Sequence, residues 1–270
     1  MKIGKTTTVQ SAICTSDDDS ITVRGADLCG ELIGHIGFSD YFHLLLTGQR
    51  PSPAASRVLE ATLVAITEHG LVPSVQAARM TLAAAPDALQ GAVAAGILGC
   101  GSVILGSSET AGRMFVDIDQ KAGPDGDLAA AAREVIVALR AAGRAVPGYG
   151  HPLHKQRDPR VTRLFEVSRQ AAGGQRFVEI AECVETLLPE LTGRDLRLNV
   201  SAAIPAVLLG VGFPVEALKG VPILARTAGL IAHLAEELRN PIGFALSYQA
   251  SREQIYTGPQ PRGRTPKAAG

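Results

Sequence analysis

Histidine and arginine crowd into one short segment of this chain, Gly148-Tyr-Gly-His-Pro-Leu-His-Lys-Gln-Arg-Asp-Pro-Arg160. Imidazole exchanges protons near neutral pH, and guanidinium grips a carboxylate through paired hydrogen bonds. Of the six histidines (His35, His43, His69, His151, His154 and His233), His151 is the best placed for chemistry. Pro147-Gly-Tyr-Gly150 before it and Pro152 after it oppose a regular helix and predict a constrained loop. The glycines there let a ligand approach the backbone closely. Taken alone, this local pattern suits an ordinary turn histidine equally well. Asp158-Pro159 predicts a helix N-cap followed by proline at the first helical position, which puts Arg160 in the first turn. On local grounds Arg160 is as readily a solvated helix residue as a ligand. His35, His43 and His233 read as packing or helix-end residues.

The elements that must position these side chains are almost all helical. Residues 1–25 predict an extended or hairpin entry: β-branched residues from Thr6 to Ile13, a turn at Asp17-Asp-Asp-Ser20, and a second short strand at Ile21-Thr-Val23. Arg24-Gly-Ala-Asp27 then leads into a helical pattern. Apolar spacing and turn residues place helices at about 39–48, 54–69, 74–84, 87–99, 107–121, 127–143, 158–172, 175–189, 200–211, 215–219 and 221–238. No strand alternation competes after the entry segment, so the fold class is all-α. Residues 1–258 are expected to form one domain with a small helical lobe over about 152–191, and 259–270 a flexible tail rich in proline and glycine.

Composition narrows the function classes. At 270 residues the chain can bury a sizeable core, and with 46% hydrophobic residues it has the material to do so. Twenty-six acids balance 26 bases, which argues against a nucleic-acid partner, since a phosphate lattice calls for a basic excess. Scarce aromatics (4%) and abundant alanine and glycine suit closely approaching helices. Cys14, Cys29, Cys100 and Cys183 are scattered, form no CxxC pair and are expected as buried reduced thiols, with no metal site. The start, Met1-Lys-Ile-Gly-Lys, has no apolar signal region. The apolar stretch 198–211 is interrupted by Asn199, Ser201, Pro205 and Gly210, so no membrane span and a cytoplasmic location are expected.

The Gly148–Arg160 segment resembles the citrate synthase and citryl-CoA lyase superfamily, in which Gly-aromatic-Gly-His is followed by Lys and then Asp-Pro-Arg. The spacing holds across all thirteen positions, with Pro152 departing where the family commonly has Arg. Four further segments agree in order: Thr67-Glu-His-Gly70, Leu198-Asn-Val-Ser-Ala-Ala203, Leu224-Ala-Arg-Thr-Ala-Gly-Leu-Ile-Ala-His233 and Ser251-Arg-Glu-Gln-Ile-Tyr-Thr-Gly258. The resemblance covers about residues 11–258 and is greatest to a stand-alone citryl-CoA lyase or the lyase module of ATP-citrate lyase. It implies a citrate-synthase-like helical fold, a CoA thioester and a di- or tricarboxylate as ligands, and no separate cofactor.

Roles follow by resemblance, residue by residue. His151 would bond the hydroxyl or carbonyl at the carbon being made or broken, and His69 the tertiary hydroxyl or a carboxylate. Arg160, Arg226 and Arg252 would clamp carboxylates, with Arg252 reaching a neighbouring subunit, and Asn199 would lie in the substrate-binding segment. Two positions depart. The stretch Ser102-Val-Ile-Leu-Gly-Ser107 lacks the histidine with which synthases stabilise the thioester enol, which favours a lyase. The family's proton-moving aspartate is Ser201, a poor general base at neutral pH; Asp195 and His154 are nearby candidates to replace it.

The implied activity is carbon–carbon cleavage of citryl-CoA or a related 3-hydroxy-3-carboxyacyl-CoA to acetyl-CoA and an oxoacid such as oxaloacetate. The alternatives are a condensing acyltransferase and, because of Ser201, a non-catalytic binder of CoA or a tricarboxylate. A homodimer or higher homo-oligomer is also implied, with Gly91, Ala95 and Gly99 on one helix face as the expected contact.

Overall fold

A computed structural model describes residues 9–101, 105–150 and 157–259. The chain opens with a three-stranded antiparallel sheet in the order β1 (Cys14–Ser16), β2 (Ile21–Val23) and β3 (Ala26–Asp27). The first strand begins after Ile13, later than its β-branched residues suggest, because the turn sets the register. The Asp17 carboxylate accepts from the Asp19 and Ser20 amides and the Ser20 hydroxyl, which brings Ser16 opposite Ile21. The expected continuation into helix after Asp27 is a single π-helical turn, Leu28–Leu32.

Eleven α-helices follow among the described residues: α1 (Phe38–Thr47), α2 (Pro53–Thr67), α3 (Pro73–Ala84), α4 (Leu89–Leu98), α5 (Gly106–Ala122), α6 (Leu128–Ala141), α7 (Pro159–Gln170), α8 (Arg176–Thr192), α9 (Val200–Gly210), α10 (Gly220–Glu237) and α11 (Gly243–Glu253). The fold is therefore helical, as the residue pattern predicts, and ten of these helices fall within three residues of their expected bounds. The eleventh, α11, was not expected, and the segment expected at 215–219 is one 3₁₀ turn, Val215–Ala217.

Contacts divide the chain into two compact units. The first comprises residues 1–69 and 100–229. Its centre is α9, whose residues from Ala202 to Leu208 are all buried, with α2, α5, α7 and α8 packed around it. Small side chains permit this crowding: Ala202, Ala203 and Ala206 are fully buried, and at Gly112 on α5 a Cβ would lie only 3.1 Å from Pro205 on α9. Phe115 and Phe165 fill the remaining space at 0% and 1% exposure, so truncating either to alanine costs about 3–5 kcal/mol. The stretch expected as a small lobe supplies α7 and α8 to this same core.

The second unit comprises residues 70–99 and 230–270. Here α3, α4 and the end of α10 enclose Val75, Ala78, Leu82, Ala92, Leu230 and Leu234. Gly96 on α4 is required by packing, since a Cβ there would stand 2.7 Å from Leu230 and 2.9 Å from the Ser74 carbonyl. The other α4 face keeps Gly91 and Ala95 half-buried and Gly99 exposed. Arg79 is buried beside Glu237, and Glu237 in turn accepts the Ile242 and Gly243 amides that open α11. This cap is why α11 escapes local reading: its start is held by a carboxylate five and six residues back, at the end of α10, which is itself fixed by Arg79.

The thiols do not all follow expectation. Cys100 is buried and Cys183 half-buried, but Cys14 and Cys29 lie exposed in the entry segment. Among the described residues no cluster of His, Cys, Asp or Glu is suited to a metal ion, and no helix is long and apolar enough to cross a membrane.

Candidate active site

The loop that leads to His151 is laced to the segment that precedes α9. Gly148 adopts φ +85°, and a Cβ there would come within 2.5 Å of Ala202, so only glycine lets this backbone lie against the start of α9. The Gly148 carbonyl accepts from the Asn199 amide at 3.1 Å, and the Gly150 amide donates to the Arg197 carbonyl at 2.7 Å. The Tyr149 hydroxyl donates to the Ala181 carbonyl of α8 at 2.8 Å. Burial first, and then the nearby Glu185 charge, push the Tyr149 phenol well above its ordinary pKa, so it stays a neutral structural donor.

Asn199 is the N-cap of α9. Its Oδ1 accepts from the Ser201 amide at 2.9 Å, while its Nδ2 donates to the Gly150 carbonyl at 2.7 Å. One side chain thus joins the helix start to the residue preceding His151. Ser201 sits half-buried in the first turn. Four residues on, Pro205 has no N–H, so the Ser201 carbonyl lacks its usual intrahelical donor. Asp195, a candidate to replace the missing acid, is exposed and paired with Arg197 at 2.9 Å. That ion pair leaves it a surface role.

His151 and His154 lie outside the described residues, as does the start of the Ser102–Ser107 stretch. The described chain resumes at Arg157, whose guanidinium pairs with Glu185 and, at 3.3 Å, with Glu182. The Glu185 hydrogen bond foremost raises the Arg157 pKa. Asp158 caps α7 as its sequence predicts, accepting from the Arg160 amide at 3.0 Å ahead of Pro159 at N1. It also accepts from Arg160 Nε at 3.0 Å and Nη2 at 2.7 Å. Arg160 is therefore a fixed guanidinium with one edge occupied and three N–H donors remaining. It lines a cavity of about 910 Å³ with Arg57, Arg163, Asp40, Val64 and Leu164. His69, Asn199, Ser201 and Arg226 do not line that cavity.

A second cluster forms where α2 ends. Gly229 of α10 has no side chain to hold it away from the Thr67 carbonyl, with which a Cβ would collide. Thr67 stands two residues before His69, and Gly229 follows Arg226 by about one helical turn, so the segments that carry His69 and Arg226 meet at this crossing. His69 is exposed and its amide donates to Glu68 Oε1 at 2.8 Å. Arg226 is 6% exposed, yet among the described residues its buried Nε and Nη1 meet no hydrogen-bond partner. A buried guanidinium in that state is costly unless an anion completes it.

Arg252 belongs to the second unit, on the last turn of α11, where it is exposed and its Cζ lies 5.9 Å from the Tyr248 ring centroid. Two residues of the site region escaped the sequence reading: Glu185 and its neighbour Glu182, which meet Arg157 across 28 and 25 residues. Nothing in their local pattern distinguishes them from other helix-surface acids. Cys183 lies between them, and burial raises its thiol pKa, so it is not a nucleophile at neutral pH.

The pattern of the citrate synthase C-terminal domain matches residues 36–243. The chain belongs to the citrate synthase family. Within it, citryl-CoA lyase from Hydrogenobacter thermophilus has a similar structure, with a TM-score of 0.83 and 31% identity over 96% of this chain and 98% of that one. ATP citrate lyase from Methanosaeta concilii, solved in complex with (3S)-citryl-CoA, shares the fold at a TM-score of 0.77 and 23% identity, over 96% of this chain and 43% of that one. The probable ATP-citrate synthase of Dictyostelium discoideum is 25% identical over 261 residues, covering 90% of this chain and 40% of its own. The chain spans 40% to 58% of the length of the first curated citrate synthase relatives it matches. The family's helical fold is thus present here, with the Gly148–Gly150 loop, the Asn199 cap and the Arg226 crossing built into its first unit.

Proposed function

We propose that this protein is a carbon–carbon lyase that cleaves citryl-CoA, or a related 3-hydroxy-3-carboxyacyl-CoA, to acetyl-CoA and an oxoacid. The observation that carries the reading is Arg226: a buried guanidinium with two nitrogens unanswered among the described residues is suited to receive a carboxylate. The near end-to-end similarity to a citryl-CoA lyase, over 98% of that chain, supports a lyase rather than a synthase. In this scheme His151, the residue after the pinned Gly150, takes the proton from the tertiary hydroxyl. The carbon–carbon bond breaks, the hydroxyl carbon becomes the keto carbon of the oxoacid, and the bonding electrons pass to the thioester as an enolate. Protonation of that enolate at carbon, from the Ser201 side, yields acetyl-CoA. Arg226 and the three remaining donors of Arg160 hold the carboxylates, and His69 binds at the crossing beside Arg226. Arg252, exposed on α11, is assigned to a carboxylate in a second copy of the chain within a homodimer. No separate cofactor enters the scheme.

A second reading is favoured by Ser201 itself. A site that keeps its carboxylate donors but lacks the acid–base carboxylate suits a non-catalytic binder of CoA or a tricarboxylate. Calorimetric titration and turnover of citryl-CoA separate the two. Acetyl-CoA release that His151→Ala abolishes is the expected result. Tight binding without release transfers the protein to the binding class, and absence of any binding overturns both readings.

A further inference from the structure

Glu185 is 7% exposed, stands on α8 and has no place in the chemistry above. We propose that it is a positioning residue, holding the start of α9 and both flanks of residues 151–156 in a single arrangement. The kinetic consequence rests on the lyase reading; the structural one does not.

Glu185 Oε1 takes the Leu198 amide at 2.7 Å and Arg157 Nε at 3.4 Å, and Oε2 takes Arg157 Nη2. Leu198 immediately precedes Asn199, the residue that caps Ser201 and reaches the Gly150 carbonyl. The Leu198 carbonyl accepts from the Asp158 amide at 3.3 Å, so the Arg160 clamp is tied to the same strand-like stretch. One turn earlier on the same face of α8, the Ala181 carbonyl holds the Tyr149 hydroxyl. Two α8 residues four apart therefore hold Tyr149 on one side of 151–156 and Arg157 on the other.

Satisfying Arg157 alone does not require a buried acid, because the half-buried Glu182 already pairs with it. What Glu185 adds is an acceptor for the amide of Leu198, a residue 1% exposed that has no solvent to turn to. A charged acceptor makes this bond stronger than a backbone carbonyl would. Reacting groups displaced by about 1 Å lose on the order of 10²-fold in rate, so a clamp at this point governs turnover more than binding.

The test compares Glu185→Gln and Glu185→Ala with wild type in citryl-CoA turnover and in residue-resolved amide exchange. Glutamine keeps an oxygen for Leu198 but loses the charge on Arg157; alanine loses both. The expected result is a kcat reduced about 10-fold in the first and about 10²-fold in the second, with KM within about 3-fold. Exchange at Leu198, Asn199 and Gly150 should accelerate in the alanine variant, while Phe115 and Val135 in the core keep their protection. Unchanged exchange at those three amides, or an unchanged kcat, overturns the proposal. If wild type fails to turn over citryl-CoA, the lyase reading falls by itself and exchange alone decides the role of Glu185. If the alanine variant does not fold, the glutamine variant carries both readouts, with faster exchange at Leu198 expected because a neutral oxygen is the weaker acceptor.

Discussion

The two units each bury one arginine and treat it in opposite ways. In the second unit Arg79 spends its guanidinium on protein: Nε donates to Glu237 at 2.6 Å, Nη1 to Glu236 at 2.7 Å and Nη2 to the Asn240 carbonyl at 3.0 Å. Glu237 is satisfied in turn by the two amides that open α11. In the first unit Arg226 is comparably buried, yet among the described residues two of its nitrogens meet no acceptor. A buried charge with a full set of partners fixes architecture, whereas one without them is a cost that only a ligand repays. Under the proposed function, the contrast separates a structural cation from a binding one.

The largest expected effect tests the structural side. Arg79→Ala strands Glu237 and removes the anchor of α11, and should lower unfolding free energy by about 3–5 kcal/mol in a denaturant titration. A loss below about 1 kcal/mol would show that the network is ornamental and the contrast empty.

Next comes Arg226→Met, which keeps the apolar stem and deletes the unpaired charge. Stability should hold or rise, while affinity for citrate falls on the order of 10²-fold, the equivalent of one or two charge-assisted hydrogen bonds. Melting curves and calorimetry on the same variant read both quantities. A variant as unstable as Arg79→Ala would mean that Arg226 is also architectural.

The smallest effect is electrostatic. Burial opposes the charged form of Glu237, but the hydrogen bonds from Arg79, Ile242 and Gly243 outweigh it and leave its pKa below the ordinary carboxylate value. A lowered folded-state pKa contributes stability above the unfolded-state value and loses it as pH falls through the folded one. Wild type should therefore lose part of its stability on acidification below the usual glutamate range. In Glu237→Gln that part of the pH dependence should be missing. Parallel acid titrations of melting temperature would expose a failure of this sign.

Much of the fold is legible in the residues. Helical periodicity, together with Asp158-Pro159 and the glycine after Thr47, locates α1, α2 and α7 closely, because capping and turn chemistry act over a few residues. The family resemblance likewise brings forward Asn199, Arg160 and Arg226 by number. Their physical states were not legible. Asn199 is a helix cap bonded to Gly150, Arg160 has one edge committed to Asp158, and Arg226 is a cation left unanswered among the described residues.

What the sequence by itself determined is the local half of this protein: where helices begin and end, and that Asp158 caps the helix after the glycine-rich segment. Only the tertiary structure decided which buried charges find partners. It set Glu185 under Leu198, Glu237 at the start of α11 and, among the described residues, no acceptor against Arg226 Nε and Nη1. Periodicity and capping are fixed within a turn or two of chain. The partners of buried charges depend instead on groups meeting across the fold in a space that excludes water: Glu185 and Leu198 lie 13 residues apart, Arg79 and Glu237 158.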